Sequence, residues 1–306
     1  MKVAVMGASS QIARDLIVNF ALKQNYELTL YGRALDVIRV WCEEKIPTAN
    51  YAIYDFGAFD LERKFDVIIN FVGVGDPVLA KAMGRKIFDI TEEFDTIALS
   101  YLEAYPDTRY IFLSSGAVYG GGFQQPADEN SFAQFDINHL SFTDWYSIAK
   151  FYAEARHRAL PQFHITDIRV FNYFSASQDL NARFLISDII RAIKDKTVMS
   201  TSPENIVRDF LSPEDFYRLV CSIIDYGPVN TALDCYSKAP IDKFSLLNEM
   251  SEKFGLKYHV EKENVAVNAT GIKRNYYSVN RSASQIGYQP SRNSLESILE
   301  QVELIG

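Results

Sequence analysis

From residue 2 to residue 170, short apolar runs rich in β-formers alternate with stretches whose apolar residues recur at helical spacing. This rhythm limits the fold more than any other feature of the chain. Residues 2–6 (KVAVM) form a compact run ended by Gly7, and Ile12, Leu16, Ile17, Phe20 and Ala21 then mark one face of a helix. Residues 27–31 close at Gly32, residues 51–54 lead to Asp55, and residues 66–72 stop at Gly73. Residues 109–113 stop at Ser114 and Ser115, and residues 164–170 make a further run. Strands apolar at nearly every position are buried on both faces, which implies a parallel sheet covered by helices on each side. Right-handed crossovers then give a doubly wound sheet with its ligands beyond the carboxyl ends of the strands.

After about Asn172 the pattern changes: helical pieces near 184–194, 215–224 and 244–254 alternate with short polar segments. The expected architecture is α/β. A doubly wound Rossmann domain spans 1–171, with return segments near 206–235, and a smaller, mainly C-terminal α/β substrate domain spans 172–306. No internal repeat is visible.

Charge and composition narrow the partners. Lys plus Arg number 31 against 39 Asp plus Glu, a net charge of −8, which repels nucleic acid and anionic membrane. The three cysteines, Cys42, Cys221 and Cys235, are far apart with no CxxC, so neither a disulfide framework nor a zinc site is expected. The early apolar run is too short for a signal peptide or a membrane span, and a cytoplasmic, soluble protein is expected.

The first strand runs into Gly7-Ala8-Ser9-Ser10-Gln11-Ile12-Ala13 and then a helix. Amides in the first turn of a helix lack intrahelical partners and bind phosphate, and a glycine lets the backbone approach a pyrophosphate closely. Only Gly7 of the usual three glycines is present, so an ordinary strand-to-helix turn is the alternative. At the end of the second strand an acidic residue would suit NAD, whereas an arginine suits the 2′-phosphate of NADP. Arg33 stands there, with no carboxylate before Asp36, so NADP(H) is the expected cofactor and NAD(H) remains open.

Tyr146 and Lys150 are four apart and share a helical face. An ammonium beside a phenol favours the phenolate and brings proton transfer toward neutral pH. With 18 tyrosines in the chain the spacing says little by itself, and a second such pair occurs at Tyr258 and Lys262. Order decides: the first pair follows Ser114-Ser115 at a strand's carboxyl end, where a serine can hydrogen-bond the oxygen that the tyrosine protonates.

With these parts in place, the chain resembles an extended short-chain dehydrogenase/reductase of the NAD-dependent epimerase/dehydratase family, whose members act on nucleotide sugars. The likeness extends from the Gly7 turn through residues 70–73, 114–120, 146–150 and 169–172 to Arg208-Asp209-Phe210. It implies Ser115, Tyr146 and Lys150 as the catalytic set, with Tyr146 and Lys150 also on the cofactor. Gly7, Ser9, Ser10, Gln11, Ile12 and Arg33 would hold the cofactor's phosphates and ribose. Asp55 and Phe56 would lie beside its adenine, and Phe71, Val72, Gly73 and Phe171 along it. Ser115, Asn172 and Arg208 would face the substrate, the last two its diphosphate. Tyr276 and Tyr277 either reach the nucleotide or pack.

Two departures refine this. Ser175-Ala176 stands where the family often has Gly-Pro, and Ser115-Gly116-Ala117 stands where sugar-nucleotide dehydratases carry Thr-Asp-Glu. Without that acid and base a 4,6-dehydratase is not expected. The expected reaction is NADP(H)-dependent reduction of a keto group, at C4, on a nucleotide-activated deoxy sugar. The alternative is an NAD-dependent 4-epimerase, and a non-catalytic NADP-sensing protein is a third. The family habit also implies a homodimer through helices near 91–105 and 144–160.

Overall fold

The computed structural model describes residues 1–305 except 24, 75–79, 81 and 262–272. Its centre is a parallel sheet of seven strands: β1 (Lys2–Met6), β2 (Glu27–Tyr31), β3 (Tyr51–Tyr54), β4 (Val67–Asn70), β5 (Arg109–Ser115), β6 (His164–Val170) and β11 (Thr231–Asp234). The order across it is β11-β6-β5-β4-β1-β2-β3, the doubly wound arrangement. Met6 pairs with both Tyr31 and Asn70, so Gly7, Gly32 and Phe71 emerge together at one edge.

Alternate residues of each strand serve opposite faces. Val3, Val5, Leu28 and Leu30 pack beneath α1 (Gln11–Lys23), α2 (Leu35–Lys45) and α6 (Pro213–Tyr226). Ala4, Met6, Tyr110 and Phe112 pack beneath α3 (Lys86–Ala104) and α4 (Phe142–Arg158). Each fully buried Leu, Ile or Phe contributes about 2 kcal/mol of transfer free energy.

Elements after β6 gather a third apolar cluster. Phe174 meets Ile189, Met250 and Ile298 there, the last three from α5 (Leu185–Lys194), α7 (Lys243–Phe254) and α8 (Ser294–Ile305). Short strands brace it. They are β7 (Asn172–Tyr173) on β10 (Phe210–Leu211), β8 (Val198–Thr201) on β13 (Lys257–Val260), and β9 (Val207–Arg208) between β12 (Ile241–Asp242) and β14 (Asn275–Tyr276).

Two strands differ from the sequence reading. β4 ends at Asn70 rather than residue 72, because the Asn70 carboxamide takes the Val72 N–H at 2.9 Å and turns the chain. β5 continues through Ser115, which pairs with Val170. The helix expected from 144 begins at Phe142, where Ser141 and Asp144 form a capping box. Among the described residues no helix is long and apolar enough to cross a membrane, and no cluster of three or more His, Cys, Asp or Glu forms a metal site.

Candidate active site

The extension of β5 delivers Ser115 to the sheet's carboxyl edge, and α4 carries Tyr146 and Lys150 across from it. Ser115 Oγ accepts the Ala117 N–H at 3.1 Å and lies 3.2 Å from the Tyr276 hydroxyl, while Tyr146 faces the same Ser115 hydroxyl. Lys150 is buried and donates to the Leu113 carbonyl at 2.7 Å, with its ammonium 4.3 Å from the centre of the Phe112 ring. A side chain on Gly73 would begin 3.5 Å from that ammonium, so the end of β4 stays open beside it.

Burial governs the ionisation here. It pulls the Lys150 ammonium down to about 8, against support from Asp95, Asp167 and Glu154. Burial also pushes the Tyr146 phenol above its ordinary value, opposed by the Ser115 hydrogen bond. This corrects the sequence expectation that Lys150 would lower it. The ammonium is turned to a backbone carbonyl, and desolvation acts on the phenol unopposed by it.

At the other end of the edge, Gly7 has φ +77°, and a Cβ there would meet Phe71 C and Val72 N at 3.0 Å. Only glycine permits this approach. Among the described residues the Gln11 and Ile12 amides have no hydrogen-bond partner, leaving two donors at the start of α1. The missing glycines are accommodated: Ser10 Oγ caps Ala13 N at 3.4 Å, and the Ala13 methyl sits wholly in the core. The turn therefore fits a dinucleotide pyrophosphate. Gln11 donates to Ser175 Oγ at 2.8 Å, tying the turn to the segment that lacks Gly-Pro. Ser9 and Arg33 are exposed, and Arg33 forms no ion pair among the described residues. Asp55 caps a 3₁₀ turn (Phe56–Ala58), and Phe56 packs its ring 4.4 Å from that of Phe94. Phe71 offers the cofactor side backbone alone, since its ring is buried near Phe216.

Phe171 lies against Gly116 in an aromatic group with Tyr119, Phe123 and Tyr276. Asn172 spends its amide hydrogens on the carbonyls of Asp209 (3.3 Å) and Tyr276 (3.1 Å). It offers only an oxygen beyond these, which does not suit a diphosphate; bracing β14 is its visible work. Arg208 has no carboxylate partner among the described residues. Glu214 pairs instead with Arg218, and Asp215 accepts from the amides of Ser291 and Arg292. The Arg208 guanidinium lies 5.9 Å from the Tyr276 ring centre, and burial holds it down to about 10. Lys273, on the same ring at 4.6 Å, is pulled down to about 8 by burial and then by Arg208. Sequence reasoning missed Lys273, which belongs to no motif and reaches the site only because β14 pairs with β9. Of the Tyr258/Lys262 pair, Tyr258 binds Asn248 on α7, and Lys262 lies outside the described residues.

Residues 3–233 match the model of the family described as NAD dependent epimerase/dehydratase. The chain belongs to that family. As a member of it, the protein is an enzyme of the extended short-chain dehydrogenase/reductase type. No curated protein sequence matches this family member. Its fold is similar to that of UDP-glucuronic acid 4-epimerase from Bacillus cereus, solved with UDP-glucuronic acid and NAD. That likeness has a TM-score of 0.80 at 14% identity, over 100% of this chain and 99% of the other. dTDP-glucose 4,6-dehydratase from Bacillus anthracis, solved with NAD, gives 0.75 at 15% identity over 99% and 96%. UDP-N-acetylglucosamine 4-epimerase from Methanobrevibacter ruminantium, solved with UDP-N-acetylmuramic acid, gives 0.77 at 18% over 99% and 97%.

Proposed function

We propose that this enzyme reduces a keto group, at C4, on a nucleotide-activated deoxy sugar, using NADPH. The observation that carries the reading is the meeting of Ser115 and Tyr146 at Tyr276, with two cations that form no ion pair among the described residues, Arg208 and Lys273, against its ring. Two part-buried cations close together, Arg208 lowering Lys273, are costly unless an anion joins them, and a nucleotide diphosphate supplies that charge.

The dinucleotide, when bound, supplies hydride to the carbonyl carbon. Tyr146 gives its phenolic proton to the carbonyl oxygen as that bond forms. Turned from the Leu113 carbonyl toward the phenol, the Lys150 ammonium would steady the phenolate left behind, and Ser115 holds the oxygen. Gly116 and Ala117 provide neither acid nor base, which speaks against elimination of water. The exposed, unpaired Arg33 supports a 2′-phosphate on the adenosine ribose. The Rossmann part over 1–171 binds the cofactor and 172–306 mainly the sugar nucleotide, in a homodimer.

A second reading is 4-epimerisation with retained NAD, supported by the NAD-bound 4-epimerase among the similar structures. Identification of any nucleotide released from the purified protein, followed by paired NADPH and NADH titrations, separates the two. An empty site with NADPH preference, abolished by Arg33→Asp, supports reduction. Retained NAD without that preference makes epimerisation the better reading.

A further inference from the structure

Tyr276 lies 161 positions from Ser115 in sequence, yet its hydroxyl is 3.2 Å from Ser115 Oγ. Its placement is over-determined. The ring stands edge-on to Phe123 at 4.9 Å and against Phe171 at 5.3 Å, and its carbonyl is held by Asn172 at 3.1 Å. Pairing with β9 fixes its register opposite Arg208.

A serine hydroxyl has two acceptor sites and one proton. The Ala117 N–H, which can only donate, occupies one site at 3.1 Å. If Tyr276 donates into the other, the Ser115 proton has a single direction left, outward toward Tyr146. If Ser115 donated to Tyr276 instead, it would have nothing to offer the reacting oxygen. Burial keeps the Tyr276 phenol protonated, which leaves it able to donate.

We propose that Tyr276 is a positioning residue whose O–H, donated to Ser115, reserves the Ser115 proton for Tyr146 and the reacting oxygen. The inference rests on the proposed hydride and proton transfer at this site. It assigns to a residue of β14, remote from the Tyr146–Lys150 helix, control over the hydroxyl that completes the site.

The test is a kinetic cycle with the full-length enzyme and its sugar-nucleotide substrate. Tyr276→Phe keeps the ring and removes the hydroxyl. Loss of one such hydrogen bond is expected to lower kcat about 10-fold, with KM for the sugar nucleotide within about twofold. In a Ser115→Ala background the same substitution should cost nothing further, because the group it acts through is gone. Phe123→Leu, which disturbs the aromatic packing but leaves both hydroxyls, should not reproduce the kcat loss. Unchanged kcat in Tyr276→Phe, an equal loss with and without Ser115, or the same loss in Phe123→Leu would each overturn the proposal. Full activity in Tyr146→Phe, or a wild type inactive on every sugar nucleotide with either dinucleotide, sinks the underlying reading and this proposal with it. An active wild type with an indifferent Tyr276→Phe sinks the positioning role alone.

Discussion

The Nδ1 atom of His157 lies 2.6 Å from Oδ1 of Asp167, joining the last turn of α4 to the middle of β6 at a site wholly shielded from solvent. The other ring nitrogen is 2.7 Å from Asp95 of α3. Arg156 and Arg158 complete the two carboxylates, each at 2.9 Å. Burial disfavours the imidazolium, but the Asp167 and Asp95 carboxylates outweigh it and raise His157 to about 9. The helix pinned in this way is the one that carries Tyr146 and Lys150.

A histidine with a raised folded-state pKa stabilises the fold fully below its unfolded value, near 6.5. That contribution is lost as pH rises through about 9. Thermal midpoints measured from pH 6 to 10 should therefore fall across this window. In His157→Leu the slope should flatten, with stability at pH 6.5 lower by about 3 kcal/mol, since two buried carboxylates lose a shared partner.

Arg208 and Lys273 share the Tyr276 ring and form no ion pair among the described residues, although Asp144 supports the Lys273 charge. Arg208→Ala or Lys273→Ala should raise KM for the sugar nucleotide about 10- to 100-fold, with a smaller effect on kcat. The salt dependence of binding should weaken in both. Steady-state kinetics at low and high ionic strength check this.

Lys150 loses its proton near pH 8. Turnover should fall as pH rises through that value, because the ammonium that steadies the Tyr146 phenolate becomes neutral. Arginine stays charged throughout. In Lys150→Arg the alkaline limb should move to higher pH, whatever the fall in kcat, and the pH profile of kcat is the readout.

Gly120 has φ +87°, and a Cβ there would lie 2.1 Å from the Gln134 carbonyl oxygen. Gly120→Ala should destabilise the protein by about 2 kcal/mol or more, seen as a thermal midpoint lower by several degrees. Gly121 faces open space and has an ordinary φ, so Gly121→Ala should leave the midpoint almost unchanged.

The parallel sheet and its carboxyl-edge turns were legible in the chain because each is written locally. A strand covered on both faces must be apolar along its length, and a helix places residues four apart on one face. The family followed from those local signatures in the right order. Tertiary structure decided what those signatures do not carry. His157 sits among scattered histidines in the sequence and becomes charged only because folding sets Asp167 and Asp95, the latter 62 positions away, beside it. Lys273 and Tyr276 enter the site through a two-residue strand paired to β9, and no local pattern marks them. Even the ionisation of Tyr146 depended on the fold. Spacing put a lysine near it, but the Leu113 carbonyl claims that ammonium, and burial sets the phenol. Pairwise contact between distant residues depends on strand order and register, which no single segment of the chain contains.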